Sequence, residues 1–121
     1  MMRRRMVVPS LVSASVFGLV AAVQAPAASA VPAPEVEYTY DVMFRRHYDF
    51  PGNDALGYGY QLCDKVTQGQ SYADVMRDVK ADVTPNDEAS ANYLVSNAVG
   101  ILCPAQIWQL RNSAANYRPP A

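Results

Sequence analysis

The chain has 121 residues, half of them hydrophobic, with 10 lysines and arginines against 11 aspartates and glutamates. That length holds one domain, and a formal charge of -1 offers no basic footprint for phosphates or anionic lipid, so nucleic-acid binding and electrostatic membrane docking are set aside. A single histidine rules out a histidine-based metal cluster.

Residues 1–30 differ in kind from the rest. Met1-Met2-Arg3-Arg4-Arg5 is a basic start, Leu11 to Val23 is an uncharged apolar run, and Ala28-Ser29-Ala30 fits the small-x-small rule of signal peptidase. This order predicts a cleavable secretory signal, cut after Ala30, with Ala25 as the alternative. The apolar run is too short for a bilayer core of about 30 Å, which argues against a transmembrane anchor. Met6-Val7-Val8 fits the general secretory route rather than the twin-arginine one, and the first cysteine, Cys63, lies too far on for a lipoprotein anchor. The expectation is a protein secreted or held in the cell envelope, with no stable membrane span after cleavage. Cleavage removes three arginines and no acid, leaving 7 basic and 11 acidic residues, a charge of -4.

Residues 31–36, with Pro32 and Pro34, are expected to form an extended spacer, since each proline pushes its neighbour out of the helical region. Tyr40, Met43, Phe44 and His47 form one stripe of an amphipathic first helix beginning at Glu37, with Arg45 and Arg46 beside the stripe. Pro51-Gly52 breaks the chain. A second helix runs from an Asn53 or Asp54 cap to about Gln68, its inner face Leu56, Tyr60, Cys63 and Val66 or Thr67. Gly57 and Gly59 cost that helix roughly 1 kcal/mol each against alanine, which close approach of another helix would justify. Ser71 opens the third helix with Asp74 three residues on, and Tyr72, Val75, Met76 and Val79 make its apolar stripe.

Thr84-Pro85 with Asp87 and Glu88 marks the start of a fourth helix, whose inner face runs Ala91, Leu94 or Val95, Ala98, Ile101 and Leu102 and which ends at Cys103 before Pro104. A short fifth helix, Ala105 to about Arg111, carries Ile107, Trp108 and Leu110, and residues 113–121 are expected to be a flexible tail. No segment alternates strictly, so the expected class is all-α, a small bundle of four to five short helices over residues 37–112 closed by one disulfide and preceded by the signal peptide. An even cysteine count in an exported chain predicts the pair Cys63–Cys103. Closing that loop stabilises the fold by roughly 4 kcal/mol in the chain-entropy model. It would join the C-terminal part of the second helix to the end of the fourth, clamping the third between them.

Gly59-Tyr60-Gln61-Leu62-Cys63-Asp64-Lys65-Val66-Thr67-Gln68-Gly69-Gln70-Ser71, then Asp74-Val75, then Ala98-Val99-Gly100-Ile101-Leu102-Cys103-Pro104 resemble the domain-of-unknown-function family 732. The resemblance covers roughly Asp41 to Pro104, and its most specific piece is a glycine-led helix with C-x-x-[apolar]-x-x-G followed some forty residues later by C-P. It implies a small exported helical domain with two cysteines and brings no activity with it. Arg45-Arg46-His47 and Leu102 depart from the family pattern, and Ala105 to Ala121 extends beyond the usual family end.

No catalytic, cofactor or metal constellation stands out. His47 has Asp49 and Asp54 near it in sequence, no serine sits in a G-x-S-x-G elbow, and Asp78, Asp82, Asp87 and Glu88 gather around the junction of helices three and four, where caps and solubility account for them. Eight tyrosines are many for so small a core, and exposed aromatics favour binding surfaces. The candidate binding patch is Tyr38, Tyr40, Phe44 and Tyr48 with Arg45 and Arg46, and Trp108 is a second candidate. The expected function is a non-enzymatic module binding a protein or envelope component, the alternative a small secreted hydrolase or lipid-handling factor.

Overall fold

The computed structural model describes residues 33–120; the expected signal peptide 1–30 and its cleavage site lie outside the described residues. The first helix, α1, spans Pro34–Thr39 and continues without a break as a π-helical segment, Tyr40–Arg45. Pro34 occupies the first helical turn, where its missing N–H would go unpaired anyway, and Glu35 and Glu37 face the positive end of the helix dipole. The segment expected to be an extended spacer is therefore helical from Pro34 onward. His47, expected on the first helix's stripe, instead takes a left-handed backbone (φ 57°) and is exposed, ending the rod.

After a 3₁₀ turn at Pro51–Asn53, α2 spans Ala55–Thr67, capped by Asp54, whose carboxylate accepts from the Gly57 N–H at 2.8 Å. Its buried face is Ala55, Tyr58, Gly59, Leu62, Cys63 and Val66, so the predicted face is rotated, with Tyr60 turned outward. Gly59 decides the rotation. A Cβ placed there would come within 2.7 Å of the Tyr38 ring and of the Leu102 side chain, so only glycine lets α1 and α4 close on α2 at this point.

Helix α3, Tyr72–Asp82, is capped by Ser71 accepting from the Asp74 N–H, and Tyr72, Val75, Met76 and Val79 are its buried residues, as predicted. Helix α4, Glu88–Leu102, starts later than Thr84-Pro85 suggested. Asn86 reverses the chain in the left-handed region (φ 59°), and Asp87 then supplies the cap, accepting from the Ser90 N–H at 3.0 Å. Thr84 is buried at the end of α3 instead, its N–H donating to Val79 O.

Ala91, Leu94, Val95, Ala98 and Val99 make α4 the central helix, packed against α1, α2 and α3. Cys63 and Cys103 form a disulfide with Cα atoms 6.1 Å apart. Because α2 and α4 touch directly and α3 lies beside both, the bond staples two neighbours rather than clamping α3 between them. A 3₁₀ turn at Pro104–Gln106 leads into α5, Ile107–Ala114, whose Leu110 enters the core while the Ser113 hydroxyl accepts from the Tyr72 N–H. The expected flexible tail is partly docked, because Tyr117 sets its ring edge-on to Tyr72 at 4.8 Å and donates to Glu88 at 2.6 Å. Among the described residues there is no strand, and no helix is long and apolar enough to cross a membrane.

Candidate functional site

The first helix is anchored on its inner side by two residues one turn apart. Tyr38 and Val42 have no exposed surface, and the Tyr38 hydroxyl donates to Ala55 O at 3.0 Å. Burial away from water, with the Asp54 charge adding to it, raises the Tyr38 pKa well above the usual tyrosine range. Both flanks are tied as well. On one, the Tyr60 hydroxyl donates to Glu35 at 2.7 Å, a contact that lowers the carboxylate's pKa and raises the phenol's. On the other, the Asn97 amide donates to Asp41 at 3.3 Å.

What this support presents to water is apolar. Val36 is 61% exposed, Tyr40 56% and Phe44 66%, at four-residue intervals along the outer side of the rod. The Tyr40 and Phe44 rings stack with centroids 6.0 Å apart. Arg45 stands at the end of the ridge, its guanidinium 3.5 Å from Asp41 and mostly in solvent.

The rest of the predicted patch goes elsewhere. Tyr38 is a core residue, which corrects its placement on the surface; its ring fills the space above Gly59. Arg46 lies over the Tyr93 ring at 3.7 Å, and Tyr48 is half-buried with its hydroxyl donating to Ser90 O at 3.2 Å, so both turn toward α4. Trp108 stands on α5, 68% exposed, with Arg111 over its ring. Val36 joins Tyr40 and Phe44 although the sequence had not singled it out; the spacing of four from Tyr40 was the signal, hidden by its place in the expected spacer.

The acidic junction is fully engaged in structure. Asp82 accepts from the Tyr58 hydroxyl at 2.9 Å, Asp78 from Lys65 at 3.0 Å, and Asp87 from its own helix. Desolvation, then the Asp82 contact, pushes the Tyr58 pKa far above the ordinary value, while burial holds Tyr72 at about 12. Glu88 accepts from both Lys80 and Tyr117 at 2.6 Å, which holds its pKa below the usual carboxylate range and raises that of Lys80. Among the described residues no three histidine, cysteine or acidic side chains are placed to hold a metal ion. Two open grooves border this region, one of about 840 Å³ beside Arg77, Lys80 and Arg118, and one of about 570 Å³ between α4 and α5, lined by Ile107, Leu110 and Ala114.

A family model described as "Protein of unknown function (DUF732)" matches residues 37–105, more than half of the chain. The chain belongs to the DUF732 family. The match takes in the rod from Glu37, the three central helices and both cysteines of the staple. Helix α5 and the docked Tyr117 lie beyond the DUF732 match, although they complete the packing on α3. No curated protein and no solved structure matches the sequence.

Proposed function

We propose that this DUF732 protein is a non-enzymatic, exported binding module that docks a protein or an envelope component on the Val36–Tyr40–Phe44 ridge. The observation that carries this reading is three large apolar side chains held 56–66% exposed on a helix tied down along its inner side and both flanks. A rigid helix presenting aromatics loses little side-chain entropy on binding, which is what an interface anchor needs. Export is supported by the basic, apolar and small-residue order of residues 1–30, and by a disulfide suited to an oxidising compartment.

The test compares the wild-type protein with the Tyr40→Ala, Phe44→Ala double variant, measuring how each divides between culture medium and envelope fractions. A shift of the variant into the medium, with helical content and disulfide intact, is expected. Unchanged partition sinks the reading. A lipid-handling role draws on the partly apolar groove between α4 and α5, and predicts that a fluorescent fatty acid is displaced when the half-buried Ile107 or Ala114 is enlarged or charged.

A further inference from the structure

We infer that the ridge pairs with a second copy of this chain, the two first helices lying antiparallel across a twofold axis level with Asp41. This rests on the docking reading above and names its partner. Charged side chains flank the apolar line. Glu37, Asp41 and Arg45 follow one another at intervals of four down the rod; the Asp41–Arg45 ion pair shows that these two share one flank of the ridge, and the spacing sets the exposed Glu37 one turn before Asp41 on the same flank. Glu37 and Arg45 are equidistant from Asp41 in sequence.

A twofold axis perpendicular to two facing helices brings like flank to like flank with the direction reversed. Glu37 of one copy then stands beside the partner's Arg45, and its own Arg45 beside the partner's Glu37, with Val36, Tyr40 and Phe44 enclosed between. The Asp41 carboxylate is turned inward, 15% exposed and accepting from Asn97, so the two copies do not oppose each other there. A parallel arrangement sets acidic end against acidic end and gains nothing. Arg45 is free to switch partners, because its side chain is 64% exposed and its 3.5 Å contact is a weak surface pair.

A ridge three side chains long falls short of the roughly 1,600 Å² of a standard interface, so association in the micromolar range and sensitive to salt is expected. The experiment is sedimentation equilibrium of the isolated protein, disulfide intact, from about 10 µM to about 1 mM. The wild type should pass from monomer to dimer. Phe44→Ser should abolish the dimer, Glu37→Arg or Arg45→Glu alone should weaken it at least about tenfold, and Glu37→Arg combined with Arg45→Glu should restore it. Helical signal and an intact disulfide in each variant separate loss of pairing from loss of fold.

A wild type monomeric throughout overturns the pairing. So does a dimer indifferent to Phe44→Ser or to the single charge reversals, because the contact then lies elsewhere. The docking reading has its own readout. A monomeric wild type whose envelope retention still depends on Tyr40 and Phe44 removes the second copy as partner and keeps the ridge as a binding site.

Discussion

Helices α1 and α3 carry the same kind of sequence signal and use it in opposite ways. Each shows large apolar side chains recurring at three- and four-residue intervals. In α3 that stripe, Tyr72, Val75, Met76 and Val79, is the buried face. In the first helix most of the conspicuous stripe, Tyr40, Phe44 and His47, stands in water, while Met43 is half-buried against the core beside the inconspicuous inner pair Tyr38 and Val42. The difference is one of rivalry. Helix α3 has a single apolar face with Asp74, Arg77 and Asp78 opposite it, whereas the first helix has two apolar faces and the packing must choose. Gly59 makes the choice, since the hollow it leaves on α2 fits the Tyr38 ring.

The contrast can be broken experimentally, and the strongest attempt is Met76→Ala. Met76 is fully buried in α3, so truncation should cost about 3 kcal/mol in urea unfolding. Gly59→Ala should cost about 2 kcal/mol by overpacking against Tyr38 and Leu102, and a neutral result would show that α2 does not set which face of α1 turns in. Val42→Ala should cost a similar amount, about 2 kcal/mol, because it truncates the other fully buried side chain of the rod. Phe44→Ser, measured where the protein is monomeric, should change stability by less than about 0.5 kcal/mol; a loss like that of Met76→Ala would mean the ridge is packed after all.

The smallest effect sharpens the solvated side of α3. The folded pKa of Glu88 lies below 4.5, its unfolded value, through the Lys80 and Tyr117 contacts. That depression adds stability above 4.5, which is lost as pH falls through the folded pKa. Glu88→Gln should therefore flatten the acid limb of a midpoint-against-pH curve, and an unchanged limb would mean that the contact between α3, α4 and Tyr117 adds nothing.

Local chemistry was legible where a residue acts on its own neighbours. Ser71 caps α3 and Asp54 caps α2 because a short polar side chain next to free N–H groups has few better options. The cysteine pair was legible because it was the only pairing on offer. Proline misled twice, in opposite directions. Pro34 starts a helix where two prolines suggested extension, and Pro85 only precedes a turn where one suggested a start. What distinguishes them is the backbone of the following residues, notably Asn86, which the side-chain pattern does not display. The surface patch was half legible. Tyr40, Phe44 and Arg45 are where an exposed patch needs them, but burial of Tyr38 depends on a glycine twenty-one residues away, and the docking of Tyr117 on partners in α3 and α4.

The staple has a mechanical consequence. Were the protein held at one end of its chain and pulled at the other, tension would run from Pro34 through α1 and α2 to Cys63, cross the covalent bond to Cys103, and leave through α5. Residues 64–102 lie in a bypassed loop that carries no load. Force could pull on the outer helices, but α3 and α4, with the greater part of the core residues, lie behind a bond that stretching alone does not open.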